Sequence, residues 1–552
     1  MIERAASRAA ARVLGLPPAV GGRLSVRRGL PIRVRDGVAL RTDHYATDLP
    51  GAATVLIRTP YGRGGPMRLL ARLIADQGFH VVVQACRGTD GSGGRFEPLL
   101  HERADGLDTV DWLRRQRWYA GSFGMFGASY QGFTQWALAP EAGEDLRAMV
   151  AVATASTTRE STYAGDSFAL DTVLTWAELI AAQSVGRVAR QIELKRGQPR
   201  LLAGLAHLPL AEADRVATGG TVPFFQEWLS HHAAGPLVDR EAYWRDRVFD
   251  ARVGEVRAPV AMVTGWHDIF LPAQLADYAA LRAAGHRPYL IIGPWTHGSV
   301  GLFGAALRDG LAWFRAHLAG DPTALRSASV RIEVGGGAGW RDLPDWPPET
   351  VASAWHLQTG GGLAPAGPTP SRPDILRYDP TDPTPSLGGP MLVAQYAGSV
   401  ENRILEARPD VLTYTSAPLA GPLEVIGAVT ARVYLRSTLP HFDVFVRLCE
   451  VDRRGRSWNI SDGLTRVSPG RYPTGEPDTL MVSVTLWPAA HRFSPGHRLR
   501  LQVSGGAHPR YVRNPGTDEP LGSAVRLLTG EREILHDPGH PSAVILPINH
   551  QE

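Results

Sequence analysis

Phe123-Gly124-Met125-Phe126-Gly127-Ala128-Ser129-Tyr130-Gln131-Gly132 begins as a short apolar strand and passes directly into a helical pattern after the serine. A serine set between small residues at a strand-to-helix turn has the character of a nucleophile elbow, because small flanks let the backbone turn sharply and leave the hydroxyl exposed. A packing turn that merely contains serine is the competing reading; the strand-turn-helix setting favours the nucleophile.

Working outward, the chain alternates strand and helix. Strands are expected over residues 26–34, 54–59 and 79–84, with helices over 67–77 and 101–117, which predicts a mostly parallel sheet covered on both faces. From 157 to about 250 strand patterns give way to helical ones such as 171–188, reading as a helical insertion. Strands return at 258–264 and 289–292, separated by a helix over 274–284, so the α/β unit resumes.

A serine hydroxyl is a poor nucleophile at neutral pH and needs a base held in one tautomer by a third group. The strand at 258–264 runs out into Gly265-Trp266-His267-Asp268, and the strand at 289–292 into Gly293-Pro294-Trp295-Thr296-His297-Gly298. Ligand crevices of open parallel sheets lie at the carboxyl ends of the strands. Ser129, Asp268 and His297 therefore form a candidate triad in the chain order of an α/β-hydrolase. Asp268 could instead cap the following helix. His267 competes with His297, but it adjoins the acid and would point away from it along a strand. An oxyanion needs at least two donors, and the backbone N–H of Tyr130 follows from the elbow. The loop Arg58-Thr59-Pro60-Tyr61-Gly62-Arg63 lacks a His-Gly-Gly-Gly motif, leaving the Tyr61 phenol as the second candidate beside the reading of a tyrosine packed in a turn.

Beyond Asp345, Trp346-Pro347-Pro348 and the Gly/Pro-dense stretch 360–373 mark a boundary. Short β-branched segments at 423–435, 442–450, 480–486 and 499–503 then predict an all-β sandwich or jelly roll. With 552 residues, 44% hydrophobic and 20% charged, the chain is globular and larger than one core can organise. Lysine plus arginine number 58 against 54 acids, and a net charge of +4 gives no strong field for nucleic acid. Cys86 and Cys449 form neither a disulfide framework nor a metal or redox motif, which points to a reducing, cytoplasmic setting. No stretch has the length of an integral membrane segment. The Ala/Arg-rich N-terminus reads as an amphipathic helix docked on the body, with membrane-surface contact as the second reading. No His-Glu-x-x-His or Walker A loop occurs. His101-Glu102-Arg103-Ala104-Asp105 is expected to be a solvated helix start, and neither metal nor cofactor is expected.

Together these motifs resemble the cocaine esterase and X-prolyl dipeptidyl-peptidase group of α/β-hydrolases, the CocE/NonD family. The likeness rests on the Pro60-Tyr61 loop, Arg87-Gly88 with Ser92-Gly93, the elbow, Gly265-Trp266-His267-Asp268 and Gly293-Pro294-Trp295-Thr296-His297. In the last domain it rests on 412–416, Asn459 to Gly463, His491 to Arg498 and Pro509-Arg510-Tyr511. The resemblance implies an α/β-hydrolase domain with an inserted helical cap and a C-terminal jelly roll. It divides the chain into an N-terminal extension (1–23), first hydrolase part (24–156), cap (157–250), second hydrolase part (251–345) and jelly roll (346–552). It also implies the Ser129, Asp268, His297 triad, an oxyanion hole of Tyr61 and Tyr130, and a substrate pocket with Phe270 and, by a looser match that a core tryptophan would also satisfy, Trp176. Members that hydrolyse α-amino esters carry extra carboxylates just after the triad acid, where this chain has Ile269-Phe270-Leu271. A small-molecule ester therefore ranks above an amide, and both above a peptide. An acyltransferase or a non-catalytic binding protein are the other readings, and a homodimer is left open.

Overall fold

The computed structural model describes residues 2–20, 22–183, 198–231, 240–470 and 478–550. Ten strands form the first sheet: β1 (Leu24–Arg33), β2 (Ala39–Thr47), β3 (Thr54–Thr59), β4 (His80–Ala85), β5 (Phe123–Ala128), β6 (Leu146–Val152), β7 (Val260–His267), β8 (Tyr289–Thr296), β9 (Val330–Val334) and β10 (Gly339–Leu343). Their order is β1-β2-β4-β3-β5-β6-β7-β8-β9-β10. From β4 to β9 neighbours run parallel, while β1, β2 and β10 are antiparallel additions at the two edges. Every residue of β3 and β4 is buried, as expected for central parallel strands covered on both sides. The antiparallel β2 reads poorly as a strand in sequence, since Arg41, Thr42, Asp43 and His44 interrupt its apolar pattern.

Helices Gly65–Ala75 and Val300–Ala319 cover one face of this sheet, where Val55, Val81, Phe126 and Val150 pack with Met67, Leu73, Leu307 and Phe314. Helices Glu102–Arg114, Tyr130–Leu138 and Leu271–Ala283 cover the other. The N-terminal helix Ile2–Val13 docks on the first face through Ala10 and Ala11, with Leu14 just beyond its end. Its Ser7 hydroxyl donates to Asp76 at 2.7 Å, and Arg308 donates to the Leu14 carbonyl at 3.0 Å.

Between β6 and β7 the described residues are helical, including Leu170–Ala181 and Pro223–Ser230. Residues 184–188 of the longer helix expected there lie outside the described residues. The C-terminal part is an all-β jelly roll around Val433, Phe442, Val446, Leu501 and Leu546. The single strand expected over 423–435 is two, Leu423–Gly427 and Thr430–Ser437, because Gly427 at φ +132° breaks the run. A buried ion cluster underlies the Asn459 to Gly463 and Pro509 to Tyr511 motifs. Asp462 accepts Arg447 at 2.8 Å and also Arg510, and these charges hold its carboxyl low against burial. Asp171 of the insertion is buried too. It accepts the N–H of Leu392 at 2.7 Å and of Val393 at 3.3 Å, and burial pushes its carboxyl up to about 6.

Candidate active site

The parallel strands deliver the candidate residues to one end of the sheet. Tyr61 follows β3, Ser129 follows β5, and Asp268 and His297 follow β7 and β8. Ser129 stands at φ +57° and ψ −128°, a conformation nearly reserved for glycine and one that costs on the order of 1–3 kcal/mol. The surroundings enforce it. The Ser129 N–H donates to Val152 at 2.9 Å, and the Ser129 carbonyl accepts from Gly132 at 2.8 Å and from the Thr154 hydroxyl at 2.7 Å. The flanking glycines are obligatory, since a Cβ on Gly127 would lie 2.5 Å from the Gln131 backbone and one on Gly132 would lie 2.2 Å from Thr154.

The Tyr61 hydroxyl lies 3.4 Å from Ser129 Oγ and receives the Trp176 indole N–H at 3.3 Å. Burial raises the Tyr61 phenol above its ordinary value, while Ser129, Trp176 and the backbone N–H of Tyr130 act against that rise. The phenol thus remains a protonated donor beside the elbow amide. Asp268 is fully buried behind His297. It accepts His297 Nδ1 at 2.9 Å through one oxygen and the Phe270 N–H at 2.8 Å through the other. Asp268 does not cap the following helix, whose N-cap is Phe270 without a side-chain cap bond; its second oxygen closes a local turn beside the histidine bond. His267 points elsewhere: it is half-buried, and desolvation pushes its imidazole down to about 4, with Asp462, Arg447 and Arg510 of the jelly roll around it.

Ser129, Tyr61, Tyr130, His297, Phe270 and Trp176 all line one cavity of about 1390 Å³. The Phe270 ring lies 5.6 Å from the His297 ring, and Trp176 stacks between Tyr130 and Trp228 at 5.9 and 5.6 Å.

One expectation is overturned. Glu102 and Asp105 are buried, so His101 to Asp105 is no solvated helix start. Glu102 pairs with the buried Arg58 at 2.9 Å and accepts the Tyr130 hydroxyl at 2.9 Å, and that hydroxyl accepts the Leu99 N–H at 2.8 Å. Asp105 pairs with Arg87 at 2.6 Å. Acids in a first helical turn usually face water, and nothing local marks these two. The one available signal was Arg58, a charge inside an otherwise apolar strand that demands a buried partner.

Comparison with known proteins agrees with this architecture. Residues 36–299 match the model of the X-Pro dipeptidyl-peptidase (S15) family, and residues 323–545 match that of the X-Pro dipeptidyl-peptidase C-terminal non-catalytic domain. Cocaine esterase of Rhodococcus sp. (strain MB1 Bresler) is 30% identical over 580 aligned residues, covering 96% of this chain and 99% of that protein. A solved α-amino acid ester hydrolase superposes with TM-score 0.80 at 23% identity, and an aminopeptidase from a marine sediment Thaumarchaeota archaeon with TM-score 0.80 at 20% identity. Each alignment covers 97% of this chain and 98% of the other. With both halves matched in order and the full-length relative aligned end to end, the chain belongs to the CocE/NonD family of α/β-hydrolases, the cocaine esterase and X-prolyl dipeptidyl-peptidase group, and is a serine hydrolase.

Proposed function

We propose that the chain hydrolyses carboxylic esters through an acyl-enzyme on Ser129. His297 takes the serine proton during attack and returns it to the leaving alcohol, while Asp268 fixes its tautomer and stabilises its charged form. Water then repeats the cycle to release the acid. The Tyr61 hydroxyl and the Tyr130 N–H hold the oxyanion. In the resting arrangement the serine hydroxyl contacts Tyr61. A substrate carbonyl oxygen would take over that phenol, freeing Ser129 to bond His297 as the complex tightens. The observation that carries this reading is the Asp268–His297 pair at 2.9 Å lining the same cavity as a strained elbow serine. The proposed domain division is the one given above, with the pocket walled by hydrolase, cap and jelly roll.

Charge in the cavity favours esters with a neutral acyl group. Among the described lining residues the carboxylates are Asp43 and Asp90, and both are occupied by Arg63, at 2.5 and 3.0 Å. Neither is free to hold a substrate ammonium, and the positions after Asp268 are the apolar Ile269 and Phe270.

The test is turnover of short aryl esters, anilides and proline-linked dipeptide anilides, beside Ser129→Ala and a fluorophosphonate probe. Ester turnover and probe labelling should both disappear with the serine, a loss of at least about a thousandfold. Labelling that persists in Ser129→Ala would move the nucleophile elsewhere.

A further inference from the structure

The cavity at Ser129 is larger than a short aryl ester requires, since pockets of roughly 300–1000 Å³ already enclose drug-sized ligands and this one has about 1390 Å³. Its lining draws on the two hydrophobic clusters that meet at the elbow. One is that of the cap and includes Val173, Trp176 and Trp228 with Tyr130 and Phe133. The other leads away from the cap, across the sheet face that carries helices Gly65–Ala75 and Val300–Ala319.

That second arm is walled by Leu14, Met67, Leu70, Leu73, Phe303 and Leu307. It meets the serine at Ala128 and Phe126, alternate residues of β5 that share a face of the sheet. The apolar walls outnumber the charged residues of the lining, where Arg63 pairs with Asp43 and Asp90 and Arg28 and Arg68 also stand. Leu14 is brought in by the N-terminal extension, whose carbonyl there is tied to Arg308.

We infer that this second arm receives a long unbranched hydrocarbon chain, making the substrate an aliphatic ester with one extended apolar half. The inference rests on Ser129 being the nucleophile. A flexible chain matches a passage lined by Leu, Met and Phe side chains along a sheet face, whereas a bulky ring fits the aromatic cap side. Each methylene moved from water into such a passage is worth up to roughly fourfold in kcat/KM.

The experiment measures kcat/KM for 4-nitrophenyl acetate, butyrate, octanoate and decanoate, and for hexanoate esters of methanol, butanol and octanol, all below their critical micelle concentrations. At least a tenfold rise with chain length in one of the two series is expected. Plugging the arm from either wall, by Leu70→Trp or Leu307→Trp, should lower the octyl-to-butyl ratio of kcat/KM at least tenfold in that same series. A ratio is read, so a variant with reduced folded fraction still reports, and the second variant covers failure of the first to fold. Short esters that turn over in a Ser129-dependent way while neither series rises with length would overturn the long-chain reading alone. So would a chain-length rise that both tryptophan variants leave intact. Loss of the serine dependence itself would instead remove the proposed mechanism.

Discussion

The phenol of Tyr61 sits where its ionised form is disfavoured, because burial outweighs the donors around it. That suits an oxyanion donor, which must keep its proton while negative charge grows beside it. Tyr61→Phe should lower kcat about 10²- to 10³-fold and leave KM nearly unchanged, as read from steady-state kinetics on a short aryl ester. An unchanged kcat would remove Tyr61 from the chemistry. At this scale the candidate serine, acid and histidine could be picked out because each follows a strand with an unmistakable apolar pattern. Tyr61 was not separable from a packed turn tyrosine without the family likeness, since its neighbours Ser129 and Trp176 lie 68 and 115 positions away. Trp176 carried no local mark of a wall residue at all.

Among elements, the helix Glu102–Arg114 behind the elbow has a structural task that its sequence conceals. Its first turn holds Tyr130 through Glu102, and the same carboxylate neutralises Arg58 inside β3. Glu102→Ala would leave Arg58 buried and unpaired, and a loss of about 3–5 kcal/mol is expected in denaturant unfolding. The helix Leu271–Ala283 carries a related device. Asp277 accepts the backbone N–H and the hydroxyl of Ser156, at 2.8 and 2.5 Å, and burial pushes its carboxyl up to about 7. Between about pH 4 and pH 7 the unfolded chain has released this proton while the folded chain retains it. The contribution of Asp277 to stability therefore falls as pH rises through that window. Asp277→Asn should flatten that part of the melting-temperature profile, and an unaltered slope would show that Asp277 ionises normally. Element identity was legible wherever central parallel strands gave continuous apolar runs. The second strand β2, paired to β1 and β4, and the break at Gly427 were not, because buried Thr42, Asp43 and His44 interrupt the apolar pattern of the one and a single glycine can end the other without altering its hydropathy.

At the scale of the whole molecule the sequence divides more cleanly than the structure does. The turn-rich boundary after Asp345 separates two sheets, an α/β unit before it and an all-β unit after it. In the structure they also meet directly, since Ile426 and Ala490 belong to the first core, Gly335 bonds Ala490 and Arg492 at 3.0 and 3.1 Å, and Arg341 pairs with Glu424 at 2.9 Å, and the helical insertion adds a second connection. Gly165 approaches the second core so closely that a Cβ there would lie 1.8 Å from the Leu464 carbonyl oxygen. Asp171 takes both the Leu392 and Val393 amides, and its own N–H donates to Pro509 at 3.0 Å. Chains with several cores commonly lose them one after another on heating. The direct seam and the Asp171 junction together make the cores interdependent, so the protein should melt in a single calorimetric transition. Asp171→Ala, which strands two buried amides, should split that transition in two; a variant that still melts in one step would mean that cooperativity is carried elsewhere. The insertion is then less a hatch over the elbow serine than a keel fastened to the second half, one of the two ties by which both halves would unfold as one body.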